Sequence, residues 1–431
     1  MQLKRPASQL HLGLMAASCA LLSSTSRGQA AAADADGPPL QLDSALLYYK
    51  ENGGRVQTIE PVVSLKKDFG DQRLLDGTLT LDSLSGATPN GAIPSRRPQT
   101  FASPSSTSLT PAPGKKTTLY TIAPGALPED PHFKEDRVAG DLDWSQPLGV
   151  VDSLSFGVHG STEHDFDSVA AHAGISHDFN EHNTTLAFSV SDEYDRIHAH
   201  GGNPAPGSDY ALYEKEPSQT KTVAGGLLGL TQVIRRNWLT ELNYTFDHSQ
   251  GYLTDPYRIL SVLDAEGNVT GYRYESRPDT RTRQSLYWVN KVALGPTVLD
   301  LSYRRGKDGW AINSDTVDVR LRIDLGGGMY LEPHARWYHQ TAADFYTLYL
   351  ETTSPQPLFM SADPRLAGFV GTTVGIKFGV SVGRNGELSM RLEQYEQRPS
   401  DQSSALPALQ GLDLNPNLKA TIVQLGWRLN F

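Results

Sequence analysis

The stretch TVDVRLRIDL, residues 316–325, alternates residue type without a break. In an extended strand Val317, Val319, Leu321, Ile323 and Leu325 fall on one face, and Asp318, Arg320, Arg322 and Asp324 on the other, because successive side chains leave a strand on opposite sides. Either face can be the outer one. In water the charged face would be wet and the apolar one packed; in a bilayer the apolar face meets lipid and the charged face lines a closed cylinder.

The neighbouring segments repeat the pattern. VLDLSYRR (298–305) sets Leu299, Leu301 and Tyr303 against Asp300, Ser302 and Arg304. MYLEPHARWYHQ (329–340) sets Leu331, Pro333, Ala335 and Trp337 against Glu332, His334, Arg336 and Tyr338. VGTTVGIKFGVSVG (370–383) and GELSMRLEQYEQ (386–397) continue it. Strands are expected near residues 43–50, 56–65, 73–84, 135–145, 151–162, 166–178, 183–196 and 220–234. The second half adds 237–247, 281–294, 297–305, 314–325, 328–340, 367–382, 386–397 and 417–431. That makes about sixteen, an even number.

The links between them are of two kinds. Turns such as FNEHN (179–183), RRN (235–237), GP (295–296) and GRN (383–385) are short, whereas 85–134, 197–219, 248–280, 341–366 and 398–416 are long. Short turns on one rim and long loops on the other are the pattern of an outer-membrane β-barrel, so the expected fold is all-β, a transmembrane antiparallel β-barrel over 43–431. Trp144, Phe179, Trp238, Tyr252, Tyr257, Trp288, Trp337, Phe345 and Phe369 fall near strand ends and are expected in aromatic girdles. The Pro-, Ser- and Thr-rich residues 85–125 read as a surface loop, with a constriction folded into the lumen as the alternative.

The last segment, TIVQLGWRLNF (421–431), alternates too. Backbone groups in hydrocarbon must all be paired, so this strand is expected to close the barrel against the first. Trp427, Leu429 and Phe431 would then face lipid, in the manner of the terminal signal read by the barrel-assembly machinery. At the other end Lys4 and Arg5, an apolar stretch at 10–22 and Gly28-Gln29-Ala30 read as a secretory signal peptide over residues 1–30, followed by a periplasmic segment at 31–42. Cys19, the one cysteine, lies inside that signal, so an exported chain would hold no disulfide.

Composition excludes some classes. Apolar residues are 38% of the chain and past residue 22 no run reaches the length of a spanning helix, so a helical transporter is excluded. A net charge of -10 gives no nucleic-acid signature.

The inward charges are the chemistry-bearing residues: Asp300, Arg304, Asp318, Arg320, Arg322, Asp324, Glu332, His334, Arg336, Lys377, Arg391, Glu393 and Arg428. Interleaved signs on such a wall make either a hydrated pore lining or an ion-pair network that fills the lumen. His198 and His200 could share a strand face and ligate a metal, but no spacing matches a known site, and polar rim residues are the plainer reading. Asp195, His198 and a nearby Ser would permit a hydrolytic site without singling one out. No metal, cofactor or nucleotide site is expected.

Four strings together, LDSLSGATPNG (81–91), HNTTLAFSVSDEYDRI (182–197), LNYTFDHSQGYLTDPY (242–257) and WYHQTAADFY (337–346), resemble a Gram-negative family known as domain of unknown function 3570. The resemblance covers about residue 42 to Phe431. It implies an outer-membrane barrel and a periplasmic redox partner of the thioredoxin-like or flavin-transferring kind, and it carries over no catalytic residue. The stretch around 92–130 departs from the family as an insertion. The expected function is a non-enzymatic channel or transporter passing small polar solutes through a charged lumen. Its rival is a non-conducting barrel that scaffolds a periplasmic or surface redox partner, and an outer-rim hydrolase is the remote third. Bilayer lipid and the barrel-assembly machinery complete the expected partners.

Overall fold

The computed structural model describes residues 40–103, 119–210, 215–404 and 406–431. The expected signal peptide over 1–30, with Cys19, lies outside them, as do residues 31–39 of the expected periplasmic segment. Sixteen antiparallel strands close into one barrel. They are β1 (Leu40–Glu51), β2 (Gln57–Asp68), β3 (Leu74–Pro89), β4 (Glu129–Leu148), β5 (Asp152–Glu163), β6 (Phe166–Phe179), β7 (Thr184–Ile197) and β8 (Gln219–Arg235). Then come β9 (Trp238–Gly251), β10 (Thr280–Leu294), β11 (Thr297–Asp308), β12 (Asn313–Gly326), β13 (Met329–Gln340), β14 (Phe369–Val382), β15 (Gly386–Pro399) and β16 (Leu418–Asn430).

Each strand pairs with its neighbours in sequence, and β16 closes on β1 with Leu42 opposite Leu429 and Leu46 opposite Leu425. Phe431 N donates to Leu40 O at 2.8 Å, so the ladder runs to the inner rim. Both strands that meet at this seam end on the short-turn side. There the links shrink to two residues, as at Gly295-Pro296, where Gly295 holds a φ of +64° that suits a tight hairpin.

Among the described residues no helix is long and apolar enough to cross a membrane; the strands do so instead. The barrel's outer surface is a continuous apolar belt. Leu79 and Leu81 on β3, Phe188 and Val190 on β7, Leu228 on β8, Trp288 on β10, Trp337 on β13, Val374, Ile376 and Phe378 on β14 and Trp427 on β16 are all exposed on it. Apolar surface of that extent is not left in water. With short turns on one rim and long loops on the other, it places the protein in the bacterial outer membrane.

A strand tilted across a bilayer needs about 9–11 residues. β4 has 20 and β3 has 16, so their outer ends stand clear of the lipid. This extension takes residues 85–89 and 129–134 out of the expected 85–134 loop.

The long loops are not separate. The described parts of all five fold together into a cap with its own apolar clusters, the 198–218 loop through Tyr210 N to Tyr272 O at 3.0 Å. Ala92, Phe101, Tyr120, Ile259 and Tyr274 form one; Ile93, Leu263, Leu409 and Leu414 a second; Leu260, Leu350, Met360 and Ala362 a third. Each large aliphatic or phenyl side chain among them stabilises the cap by about 1.5–3 kcal/mol. At its centre Ile259–Leu263 pairs antiparallel with Val269–Tyr274 and parallel with Tyr349–Glu351. Gln99–Ala102 and Leu119–Ile122, on either side of the Pro- and Ser-rich stretch, pair with each other. The described flanks of that stretch therefore belong to a packed layer. Its centre, 104–118, lies outside the described residues.

Candidate functional site, a charged lumen under an interlocked cap

Strand order decides what the cap does. The 90–128 loop leaves β3 and the 252–279 loop leaves β9, far apart around a ring of sixteen strands. Yet Ile259 N donates to Asn90 O at 3.0 Å and Ile93 N to Ser261 Oγ at 3.2 Å. The 400–417 loop, from β15, meets the same segment through Ala408 N to Glu266 O at 3.1 Å. Arg96 Nη2 donates to Pro407 O at 3.3 Å. Loops from well-separated parts of the wall thus join across the outer mouth.

A buried cluster of ions locks the 252–279 loop to the 341–368 loop. Arg277 contacts Glu275 at 2.7 Å and Asp363 at 2.7 Å. Arg365 grips Asp363 at 2.9 Å through Nε and Asp255 at 2.9 Å through Nη2. Arg258 lies 3.6 Å from Asp255, and Ser361 donates to Glu275. Glu275 and Asp363 are both 0% exposed. Such a set is held only because each charge finds opposite charge and hydrogen bonds in place of water.

The two carboxyls respond oppositely to burial. Burial pushes Glu275 up, and Asp255 and Asp363 add to it against Arg277. Burial also opposes ionisation of Asp363, but Arg365, Arg258 and Arg277 outweigh it and hold the group well below 3.8. A depressed carboxyl contributes stability above its ordinary value and loses it as the pH falls, whereas a raised one contributes below its ordinary value and loses it as the pH rises. The acid-sensitive share of the cap is therefore Asp363's. Amide hydrogen exchange in the 341–368 loop, scaled to the intrinsic rate at each pH, is expected to lose protection as the pH drops below about 4. Asp363→Asn should be poorly protected throughout with no such step; an unchanged acid step in that variant would refute the assignment.

Below the cap, the thirteen charges expected on the inner wall share the face opposite the apolar belt. Asp300 pairs in register with Arg320, Arg320 with His334, Glu332 with Lys377 and Lys377 with Arg391. Asp300 is 3.7 Å from Lys291. Asp318 is 3.4 Å from Arg320 and 3.0 Å from His334. Arg391 reaches Glu332 at 2.8 Å and Glu393 at 3.0 Å. Arg322 lies over the Tyr330 ring at 3.5 Å, Lys377 at 5.5 Å from the same ring, and Arg304 over Tyr287 at 4.8 Å. Asp324 sits at the inner rim and accepts from Gly326 N at 2.8 Å. Arg428 meets Asp43 at 2.7 Å across the β16–β1 seam, beside a cleft of about 210 Å³ that Lys377, Glu387 and Arg391 also line.

Closing the sheet reveals a segregation that no single segment displays. β2 to β7 carry Glu60, Asp76, Asp82, Glu135, Asp141, Asp143, Glu163, Glu193 and Asp195 on the inner face with Lys66 and Arg137 among them. β10 to β14 carry Arg281, Arg283, Arg304, Arg320, Arg322, Arg336 and Lys377, interleaved with fewer acids. An acidic wall thus faces a basic one, and the lumen carries a field across its axis.

Glycines let the wall charges meet across an intervening strand. His334 on β13 and Glu393 on β15 are 2.8 Å apart, passing over Gly375 on β14. A Cβ there would stand 2.4 Å from Glu393 Cγ and 2.6 Å from Leu392 O. On the acidic wall His172 and Asp143 are 3.3 Å apart over Gly157, whose Cβ would stand 2.2 Å from Asp143 Oδ1. Gly375→Val is expected to lower unfolding stability by about 1–3 kcal/mol, the usual cost of overpacking. Gly160→Ala, where nothing lies within 4 Å, should be nearly neutral. Urea titration of both in lipid vesicles checks the contrast, and equal midpoints would refute it.

Other readings fare differently. Tyr257 is not in a girdle: it lies in the cap, its hydroxyl accepting from His200 N at 2.8 Å. Burial, reinforced by Asp165, raises it well above 10.0. Phe345 packs against Trp310 and Phe369 is buried, so these aromatics serve the cap or the wall beneath it. Trp288, Trp337, Phe179 and Trp238 are exposed on the barrel. For the hydrolase reading, Asp195 is bound to Lys221 at 2.6 Å and His198 faces Asp167 at 3.8 Å, which is no nucleophile relay. The group that sequence reasoning missed is Glu135, Glu163 and Asp165, whose carboxylate oxygens lie within 4.8 Å of one another and could hold a cation. Arg137, 3.9 Å from Glu163, already offsets part of their charge. The cap cluster was missed as well; its trace was the recurrence of acid and arginine in TDPYR, YESRPD and SADPRL inside loops otherwise rich in apolar residues.

Comparison with known proteins gives a family and a fold. A family model described as "Protein of unknown function (DUF3570)" matches residues 12–429. No curated protein matches the chain. Among solved structures, CdiB from Acinetobacter baumannii aligns at 7% identity and a TM-score of 0.43, over 91% of this chain and 60% of that one. The chain thus spans about 60% of CdiB. Pseudomonas aeruginosa OpdK, solved with vanillate, aligns at 10% identity and 0.40, over 91% and 99%. Pseudomonas aeruginosa OccD3 aligns at 10% and 0.41, over 94% of each chain.

Proposed function

The chain belongs to the DUF3570 family, whose description carries no activity, and from the barrel itself we propose a conduit, not a catalyst, that passes small polar solutes through its charged lumen. The observation that carries this reading is the two-signed inner wall. Many of these charges pair along their own wall, but the acidic excess of one arc and the basic excess of the other leave opposed fields across the bore, which favours entry of polar solutes. The cap is the gate, and solute passes when the 252–279 and 341–368 loops part. Trp427, Leu429 and Phe431 serve as the signal for the barrel-assembly machinery.

The interlocked outer mouth favours a second reading, a non-conducting barrel that scaffolds a periplasmic or surface redox partner. Planar bilayers holding the full-length protein separate the two. The conduit predicts current steps that are brief while the cap is locked and long when it is loosened. A barrel silent in both forms supports the scaffold.

A further inference from the structure

The basic wall carries two guanidiniums on inward-facing positions of strands separated only by β12. Arg304 on β11 is opposite Thr316, and Thr316 is opposite Tyr338. Arg336 on β13 therefore stands one inward-facing position closer to the inner rim than Arg304, with β12 between. Their like charges repel. Arg304 is laid on the Tyr287 ring, 4.8 Å from its centre, which fixes the plane of the guanidinium and leaves its N–H edge for another acceptor.

Asp318 stands opposite Arg336 in register but is engaged by His334 at 3.0 Å and Arg320 at 3.4 Å. Among the described residues no carboxylate closes an ion pair with Arg304 or Arg336. Arg336 is exposed to the lumen. Two cations on neighbouring inward positions, faced by no carboxylate but the already engaged Asp318, in a wall partly screened from bulk water, are stabilised by whatever oxyanion enters between them.

Resting on the reading of the lumen as a solute pathway, we propose that Arg304 and Arg336 form a binding site for small oxyanions, a phosphate or a carboxylate. Two forked donors donate bidentately to such a group, which a lysine pair would not do. The site gives the pathway a preference: anionic solutes dwell on the basic wall.

Calorimetric titration of the detergent-solubilised full-length protein at low ionic strength tests this, with inorganic phosphate and succinate as probes. At least one probe is expected to bind, and the tighter of the two identifies the chemistry. Arg304→Gln and Arg336→Gln should each weaken binding about tenfold, the loss expected when one charged hydrogen-bond partner goes. Arg304→Lys, which keeps the charge, should also weaken it. Arg73→Gln, in the β2–β3 turn and paired in the parent with Asp71 at 2.7 Å, should leave it unchanged. Binding of neither probe overturns the site, as does an equal loss in Arg73→Gln. Binding in a barrel that stays silent in bilayers overturns the conduit alone, and steady current without binding overturns the site alone.

Discussion

Asp363→Ala is expected to convert a barrel that opens briefly into one that stays open. Asp363 is 0% exposed and neutralises Arg277 and Arg365 from one point between the two cap loops. Removing one partner of a buried ion pair costs about 3–5 kcal/mol, because the remaining charges are left uncompensated out of water. Here the remaining charges are arginines that cannot shed a proton to escape. Each 1.4 kcal/mol is about a tenfold change in population, so the closed cap should lose at least a hundredfold of its advantage. In planar bilayers the open dwell time should lengthen accordingly. The apolar clusters around Leu260 and Met360 keep the loops folded, so barrel assembly should be unaffected, and a heat-modifiable band of normal mobility confirms it. Unchanged dwell times in an assembled Asp363→Ala barrel would refute the gate.

Val374→Arg is expected to be the most damaging change on the outer surface. Val374 is 64% exposed, and for a protein in water a substitution at so open a site would usually fall within about 0.5 kcal/mol. In a bilayer the same side chain faces acyl tails near the middle of β14 (Phe369–Val382). Arginine at the midplane of a barrel costs about 2–4 kcal/mol. Thr78→Arg is the matched control, since Thr78 faces the acidic wall opposite Asp141 and a cation there is welcome. Urea unfolding in vesicles should separate the two variants by at least 2 kcal/mol, within the range of that estimate. Equal midpoints would mean that the apolar belt does not meet lipid.

Why the barrel was legible in the sequence follows from the same physics. Lipid on one side and water on the other impose a period of two on every strand, so TVDVRLRIDL and its neighbours announce both face and phase. All sixteen strands fall where the alternation places them. Their outer ends do not, because beyond the lipid the apolar face no longer has to be maintained; β3 runs on to Pro89 and β4 starts at Glu129. The cap was illegible for another reason. ILSVL (259–263) reads as an apolar piece of loop, and its partners Val269–Tyr274 and Tyr349–Glu351 include a parallel pairing set by no local turn. Segregation of the walls was hidden likewise: Asp141 and Arg336 are far apart in sequence, and only the closed ring shows them on opposed arcs.

Gly375 and Gly157 bear on the shape of the cylinder. A ring of hydrogen-bonded strands is stiff along each strand but compliant in cross-section, free to flatten into an ellipse. The contacts His334–Glu393 and His172–Asp143 each brace three consecutive strands from within, as a hoop stiffener braces a thin pipe. One lies on each arc, so both walls resist flattening.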